Sequence, residues 1–175
     1  MDILAFWQVV DDARNQVADA SDGEALAERC SALLATRPSG DILAAQQIFW
    51  DLMADSYRYD LWAAAYLING GCSDDGFDYF RGWLVLQGRA VFEGALADPD
   101  SLADLPAIRA AAADMTDIDC EDALGIAYDA YRMATGEDMP QGAFSIRYGD
   151  PGDGSAFEDD VMARRLPKLV ALFGG

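Results

Sequence analysis

The sequence predicts an all-α, single-domain helical bundle of about six to eight helices, with one long loop rich in glycine and aspartate. Apolar residues recur at three- and four-residue steps, and capping patterns mark several helix starts. No stretch shows the alternation of polar and apolar residues that a half-buried strand requires. A chain of 175 residues, 52% of them hydrophobic, suits one domain with a sizeable core. We therefore expect residues 1–175 to form one domain.

The first two helices are predicted from an apolar face and a capping pattern. Residues 3–17 carry a single apolar face, made of Ile3, Phe6, Trp7, Val10, Ala13 and Val17. Ser21 followed by Glu24 matches a capping box, in which each side chain satisfies open backbone N–H groups at a helix start. We expect the second helix to run from there to Arg37, because Pro38 ends it.

The next two helices precede a pair of glycines. Ser39 or Asp41 is positioned to cap a third helix. Its apolar face carries Ile42, Ala45, Phe49 and Leu52. Alanines, leucines and aromatics over residues 57–68 predict a fourth helix, either separate from the third or continuous with it. Gly70 and Gly71 are expected to end it.

The second half of the chain begins with the longest predicted helix. Ser73 is positioned to cap a helix from Asp74 to about Ala97, which Asp98-Pro99 ends. Shorter helices are predicted around residues 101–104, 119–135 and 158–173, with Pro167 starting or kinking the last turns. Residues 140–160 are rich in glycine and aspartate and too long for a typical connection within a compact domain, so they predict either a functional lid or a solvated loop. Within them, FSIRY is expected to be a short extended piece.

The charge of the chain argues against two classes of partner. Its formal net charge is −19, with 31 acidic and 12 basic residues, so it repels phosphate backbones and anionic lipids. Nucleic-acid binding and membrane binding are therefore not expected, and no apolar stretch is long enough to span a bilayer. The acidic start MDILAFWQVVDD does not resemble a secretory signal, which predicts a soluble, cytoplasmic protein.

The absence of histidine limits the chemistry that the chain can perform. Without histidine, no Ser-His or Cys-His mechanism is available, so any acid or base must be a carboxylate, tyrosine, lysine or cysteine. Cys30, Cys72 and Cys120 are odd in number and far apart, which argues against a disulfide framework or a zinc site.

The segment NGGCSDDGFDYFRGW, residues 69–83, concentrates the groups that a site requires. A helix before it carries one polar and aromatic stripe, and the helix after it places Asp78 and Arg81 one turn apart. The Gly70-Gly71 turn is expected to fold the two helices toward each other, so that the stripes face across a cleft. The candidate cleft residues are Arg58, Asp60, Trp62, Tyr66, Asn69, Asp74, Asp78, Arg81 and Trp83. Each group also has an ordinary structural role. Asp74 favours a helix start, the aromatic rings favour the core, and Asp78 with Arg81 is expected as a surface ion pair.

This segment and its neighbours also contain oxygen ligands and a thiol. Asp60, Asp74, Asp75 and Asp78 offer oxygen ligands suited to Mg²⁺ or Ca²⁺, but they lack a defined ligand spacing, so no metal site is assigned. Cys72 precedes a predicted helix N-terminus, where the helix dipole lowers a thiol pKa, which makes it a minor candidate nucleophile.

The segment FWDLMADSYRYDLWAAAYLINGGCSDDGFDYFRGWLVLQGRAVFEGALADPDSL resembles a bacterial domain-of-unknown-function family, catalogued under the number four-two-four-zero and frequent in actinobacteria. The resemblance runs from Phe49 to Leu102, and the FW pair at Phe6-Trp7 and the RRLPKL stretch at 164–169 are also similar to that family. It implies one soluble bacterial domain, and the family carries no activity that can be transferred to individual residues.

Two functions fit these observations. The first is a module that binds a small molecule or a protein segment in an aromatic and acidic cleft. The alternative is a histidine-free enzyme that uses aspartate carboxylates and Arg81, with or without a divalent metal ion. The binding module is the preferred interpretation because no catalytic constellation is complete. The residues identify neither the ligand, nor a cofactor, nor an oligomeric state.

Overall fold

The computed structural model describes residues 1–174, and every regular element within them is helical. The α-helices are α1 (Ile3–Arg14), α2 (Gly23–Ala35), α3 (Ser39–Asp55), α4 (Tyr59–Ile68), α5 (Asp74–Leu86), α6 (Arg89–Ala97), α7 (Pro106–Asp114), α8 (Ile126–Thr135), α9 (Asp159–Arg165) and α10 (Pro167–Phe173). Short 3-10 helices span Pro99–Asp104, Glu121–Gly125 and Gly154–Phe157. The predicted all-α fold is confirmed.

Side-chain caps explain where two of the helices begin. Ser73 caps α5 as predicted, because its hydroxyl accepts a hydrogen bond from the Gly76 N–H at 3.1 Å. The predicted Ser21 cap of α2 is wrong by one residue. The Asp22 carboxylate accepts from the Ala25 N–H at 3.0 Å, whereas the Ser21 hydroxyl donates to Asp19. A carboxylate serves this role as well as a hydroxyl does.

The long helix predicted over residues 74–97 is two helices. Gly88 separates α5 from α6 with a φ of 91°, a conformation that side-chain-bearing residues rarely adopt. Arg14 reaches this break from α1 and donates to the Leu86 carbonyl oxygen at 2.9 Å. The apolar periodicity continues across the break, so the break depends on a backbone conformation that the pattern does not reveal.

Other boundaries also differ from the predicted ones. Pro38 occupies the N-cap position of α3, so Ser39, one of the two predicted caps, is already helical. Residues 56–58 are not helical, so α3 and α4 are separate helices. Helix α7 was not predicted, although Pro106 at its first position is a common helix-starting signal.

Helix α5 lies at the centre of the bundle. All its residues from Phe80 to Leu86 are buried, and Gly82 provides the closest approach. A Cβ atom at Gly82 would lie 2.9 Å from the Ala123 Cβ and 3.1 Å from the Cys120 carbonyl oxygen. Glycine is therefore required there, because any side chain would push away the 3-10 helix Glu121–Gly125.

The C-terminal part of the chain packs back onto the bundle. The buried Asp100 carboxylate accepts hydrogen bonds from the backbone N–H groups of Lys168 and Leu169, each at 3.0 Å, and so holds the start of α10. Residues 140–153, which we name the strap, contain no α-helix or strand and cross the surface formed by α3, α4 and α5. The strap includes FSIRY, residues 144–148, for which the sequence predicted a short extended piece; these residues form neither helix nor strand.

Among residues 1–174, no helix combines the length and the apolar character needed to cross a bilayer.

Candidate functional site

Arg81 is the centre of the region that the sequence singled out. It lies in the middle of α5, and none of its surface is exposed. Its guanidinium donates hydrogen bonds to the Asp78 carboxylate, to the Met53 carbonyl oxygen and, from Nε, to the Phe77 carbonyl oxygen at 3.3 Å. A buried charge requires such partners to offset the loss of hydration. The side chain of Asp78 is 31% exposed, so the ion pair has one buried and one partly hydrated member.

Three aromatic rings surround the guanidinium. Its central carbon lies 4.6 Å from the ring centroid of Phe77, 5.1 Å from that of Tyr148 and 5.2 Å from that of Tyr57. Tyr148 also stacks on Tyr57, with ring centroids 4.6 Å apart. Aromatic faces attract a cation, and the attraction is larger where water is excluded. Two of these rings belong to the helical bundle or its connections, and the third comes from the strap.

Trp62 joins the same group of side chains through Phe77. The two rings stack with centroids 4.7 Å apart and planes 13° apart. The Trp62 indole N–H donates to the Cys72 carbonyl oxygen at 3.0 Å, which fixes the ring relative to the Gly70-Gly71 turn. Trp62 therefore contacts Phe77, and the Phe77 ring packs against the Arg81 guanidinium. The sequence predicted a cleft between the two helices, whereas aromatic rings fill this space.

We name the assembled group the Arg81 cluster, which consists of Tyr57, Trp62, Phe77, Asp78, Arg81 and Tyr148. Burial raises the pKa of Asp78, the neighbouring Arg81 lowers it in part, and repulsion from Asp75 and Asp74 raises it again. Burial likewise raises the pKa of Tyr148, with an opposing effect of Arg81. Arg81 and its two polar neighbours are thus held in an environment drier than bulk water.

Asn69 and Trp83 do not join this cluster. The Asn69 side chain exchanges two hydrogen bonds with the backbone of Ile118, at 3.1 and 2.9 Å, and so ties α4 to the segment before the 3-10 helix Glu121–Gly125. Trp83 is buried and packs against Phe80 with centroids 5.8 Å apart. Since Trp83 follows Arg81 by two helical positions, it points to a different side of α5.

Arg58 and Asp60 also lie outside the cluster. Arg58 is at the N-cap of α4 instead of inside a helix, and it donates to the carbonyl oxygens of Asp55 at 3.0 Å and Leu96 at 3.1 Å. Asp60 accepts a hydrogen bond from the Leu61 N–H at 2.8 Å in the first turn of the same helix. Arg58 therefore connects the start of α4 to the last turn of α6, Asp60 bonds within its own helix turn, and the predicted stripe does not begin at Arg58.

The last two candidates are exposed. Tyr66 is 45% exposed and meets only the edge of Phe157, with centroids 6.3 Å apart. Asp74 lies in the solvated first turn of α5, where a carboxylate favours the positive end of the helix dipole. No group of three or more Cys, Asp or Glu side chains within residues 1–174 is arranged to hold a metal ion.

Cys72 lies beside the cluster as a protonated thiol. Burial raises its pKa to about 11, although hydrogen bonding with Trp62 and the charge of Arg81 act in the opposite direction. The predicted effect of the helix N-terminus does not overcome burial. A thiol with this pKa is a poor nucleophile at neutral pH because the thiolate is the reactive form.

The strap supplies contacts that the sequence analysis missed. Phe144 lies between Trp50, on which it stacks at 6.1 Å with planes 4° apart, and Tyr128, which it meets edge-on at 6.1 Å. The Gln47 side-chain amide exchanges two hydrogen bonds with the backbone of Ser145, at 3.0 and 2.8 Å. The one available signal was the aromatic pair in FSIRY, which is unusual within an otherwise polar loop.

A separate open groove lies between α2 and α8. It encloses about 570 Å³ and is lined by Glu24, Ala27, Glu28, Ser31, Ala32, Asp122, Asp129, Arg132 and Met133. Four of these residues are acidic, and none of them was among the predicted site residues. Its carboxylates lie on solvated helix faces, where they are expected in a chain of this composition.

The family comparison gives one match. The model of a family described as "Protein of unknown function (DUF4240)" matches residues 1–133. The matched part includes every residue of the Arg81 cluster except Tyr148, and it ends before the strap. No curated protein and no solved structure matches the chain.

Proposed function

The chain belongs to the DUF4240 family, whose function is unknown, and we propose that it is a binding module whose binding surface is the Arg81 cluster. One observation carries this proposal: a buried guanidinium is enclosed by aromatic rings, and one ring, Tyr148, belongs to the strap and not to a helix. Moving that ring alone would open a site with a cation at its base and aromatic walls.

The chemistry of the cluster indicates the class of ligand. A site of this kind favours a flat ring that stacks on Tyr57 and places a hydroxyl or carboxylate oxygen near Arg81. Tyr148 itself has this form, since its hydroxyl oxygen lies 3.4 Å from a guanidinium nitrogen of Arg81. Few polar groups on apolar walls are typical of sites that bind small organic groups.

The test removes the Tyr148 ring by substitution and supplies a small phenol in solution in its place. We expect Tyr148→Ala to lower the melting temperature, and p-cresol to restore it in a saturable way, because binding to the folded state stabilises that state. Toluene, which lacks the hydroxyl, should restore it less at the same concentration. Tyr66→Ala is the matched control, since Tyr66 is exposed and lies outside the cluster. Equal responses of the two variants to p-cresol would contradict the proposal.

The alternative is a histidine-free enzyme, and one observation favours it. Asp78 is a half-buried carboxylate with a raised pKa, which is a property of many general acids and bases. If Asp78 instead holds a catalytic divalent ion, Mg²⁺, Ca²⁺ or Mn²⁺ should raise the melting temperature to a plateau that Asp78→Asn abolishes. An ion at 100 times its dissociation constant would add about 2.7 kcal/mol to the free energy of unfolding. We expect only the weak, non-saturating response that screening of a charge of −19 produces.

A further inference from the structure

The strap lies on the bundle in the manner of a bound peptide. Two aromatic side chains four residues apart, Phe144 and Tyr148, reach down onto the helices, while the residues between them are exposed. At the backbone, Gln47 pairs with both the N–H and the carbonyl oxygen of Ser145. Further along, the Pro151 carbonyl oxygen accepts from the Tyr59 N–H at 2.9 Å. Backbone hydrogen bonds together with spaced side-chain anchors are a common way of recognising peptides.

The surface under the strap is built without it. We name this surface the strap groove, formed by Gln47, Trp50, Tyr57, Arg81 and Tyr128. All five residues lie within the part that the family model matches, residues 1–133, whereas the strap lies beyond it. The helices that carry the groove pack against one another through the core. The groove therefore lies within the residues that the family model matches, and the strap lies outside them.

The strap fits the groove incompletely. The Trp50 indole N–H is buried beneath Phe144, and no acceptor in the described residues reaches it. An unpartnered buried donor costs free energy, so an occupant that offered it an oxygen atom would bind better than the strap does. The strap also leaves Ile146 46% and Tyr148 39% exposed. Segments with few buried contacts and few hydrogen bonds are the ones that open without global unfolding.

The charge of the chain favours one kind of occupant. Asp51 and Asp55 are exposed on α3 next to the groove, and the whole chain carries −19. A positive side chain between the two anchors is therefore attracted, and the strap itself places Arg147 there.

We propose that the strap groove binds an extended segment of a partner protein that carries two aromatic side chains four residues apart and a basic residue between them, and that the strap occupies the groove until the partner displaces it. This inference rests on the proposed function, because it assigns the Arg81 cluster to the second aromatic anchor. It adds three elements to that function. These are the end of the groove formed by Gln47 and Trp50, an extended backbone of the partner segment, and competition between that segment and the strap. The partner's apparent affinity is reduced by the fraction of molecules whose strap is closed.

The test uses the full chain and a fluorescent peptide of residues 141–152, QGAFSIRYGDPG. We expect the double variant Phe144→Ala/Tyr148→Ala to bind this peptide saturably and at least tenfold more tightly than the wild type, in which the strap competes. A peptide with both aromatics replaced by alanine should not bind. Adding Gln47→Ala to the double variant should weaken binding, and so should Arg147→Ala in the peptide, because it removes the positive charge between the anchors.

A second variant tests the inference if the double variant fails to fold. Ser145→Pro removes the N–H that Gln47 accepts from and keeps both aromatic anchors, so it loosens the strap without emptying the core. It should bind the peptide more tightly than the wild type. Absence of saturable peptide binding to a strap variant with a native helical circular dichroism spectrum would overturn the inference, and so would equal binding of the alanine peptide.

The remaining outcomes separate the two proposals. If p-cresol stabilises Tyr148→Ala saturably but no strap variant binds the peptide, the proposed function stands and the peptide inference falls. If neither probe binds, both fall. If the wild type forms a stable dimer that the strap substitutions dissociate, the occupant is the strap of a second copy, and the inference of a foreign partner is overturned.

Discussion

The Tyr148 ring stacks on the Tyr57 ring at 4.6 Å with planes 24° apart, and the guanidinium carbon of Arg81 lies 5.1 to 5.2 Å from both ring centroids. Tyr57 precedes α4 and Tyr148 lies in the strap, so a contact between two non-helical segments covers the most buried charge of α5. The accessibility of Arg81 therefore depends on two segments that lie outside the α-helices.

Replacing Arg81 should destabilise the fold. Arg81→Met removes the cation and leaves the Met53 carbonyl oxygen and the half-buried Asp78 without their donor, so we expect a loss of about 2 to 4 kcal/mol. Arg89→Met is the control, because the Arg89–Glu93 pair is exposed and worth less than about 1 kcal/mol. Urea denaturation measures the free energy of unfolding of both variants. Similar losses in the two variants would show that the buried contacts of Arg81 contribute no more than an exposed ion pair does.

Adding a methyl group should have opposite effects at two helical glycines. Gly82→Ala would place a Cβ 2.9 Å from the Ala123 Cβ, and we expect it to cost about 1 to 3 kcal/mol. Gly94→Ala meets nothing within 4 Å and should stabilise the chain by about 0.5 to 1 kcal/mol through helix propensity. The melting temperatures of the two variants should move in opposite directions. An unchanged melting temperature of Gly82→Ala would mean that the 3-10 helix Glu121–Gly125 shifts to accommodate the methyl group at little cost in free energy.

Asp78 should make the stability depend on pH with a defined sign. Burial raises its pKa above 3.8 in the folded state, so the folded chain retains a proton here that the unfolded chain has already released. Ionisation of Asp78 therefore costs stability as the pH rises from about 3.8 through the folded-state pKa. The free energy of unfolding of the wild type minus that of Asp78→Asn should fall across this window and then level off. A rise instead would show that the attraction of Arg81 outweighs burial.

The cysteines should react slowly with alkylating reagents. The pKa of Cys72 is raised from 9.0 to about 11, so the thiolate fraction at pH 8 should be roughly a hundredfold smaller than in the unfolded chain. Cys30, with a pKa raised to about 12, should react only after unfolding. Mass spectrometry after timed iodoacetamide treatment, with and without urea, measures this. Fast labelling of Cys72 in the native protein would restore it as a candidate nucleophile.

Local signals in the sequence predicted most helices. The Ser73 cap was predictable because it involves only the next three residues, and the apolar faces follow from helical periodicity. Gly88 and Gly94 look alike in the sequence, yet one has a φ of 91° and ends a helix while the other lies inside α6. The contact of Arg14 with the break is made across 72 residues, and a local pattern carries no information about it.

The site was predictable in part for the same reason. The turn at residues 70–71 and the helical spacing account for the contact of Trp62 with Phe77 and for the pairing of Asp78 with Arg81. Trp83 and Asn69 were misassigned, since composition does not reveal which side of α5 meets the core or that Ile118 supplies a backbone partner. Tyr148 was missed because its position depends on how a segment without regular structure returns to the bundle.

The order of the groove and the strap along the chain matters during translation. The last groove residue is Tyr128 and the strap begins at residue 140, so the ribosome adds the strap after the residues that it covers. At about 5 to 20 residues per second, synthesis of residues 129–153 takes roughly 1 to 5 s. The proposed competition between strap and partner cannot begin until then, so it would favour a partner that is already present at the ribosome.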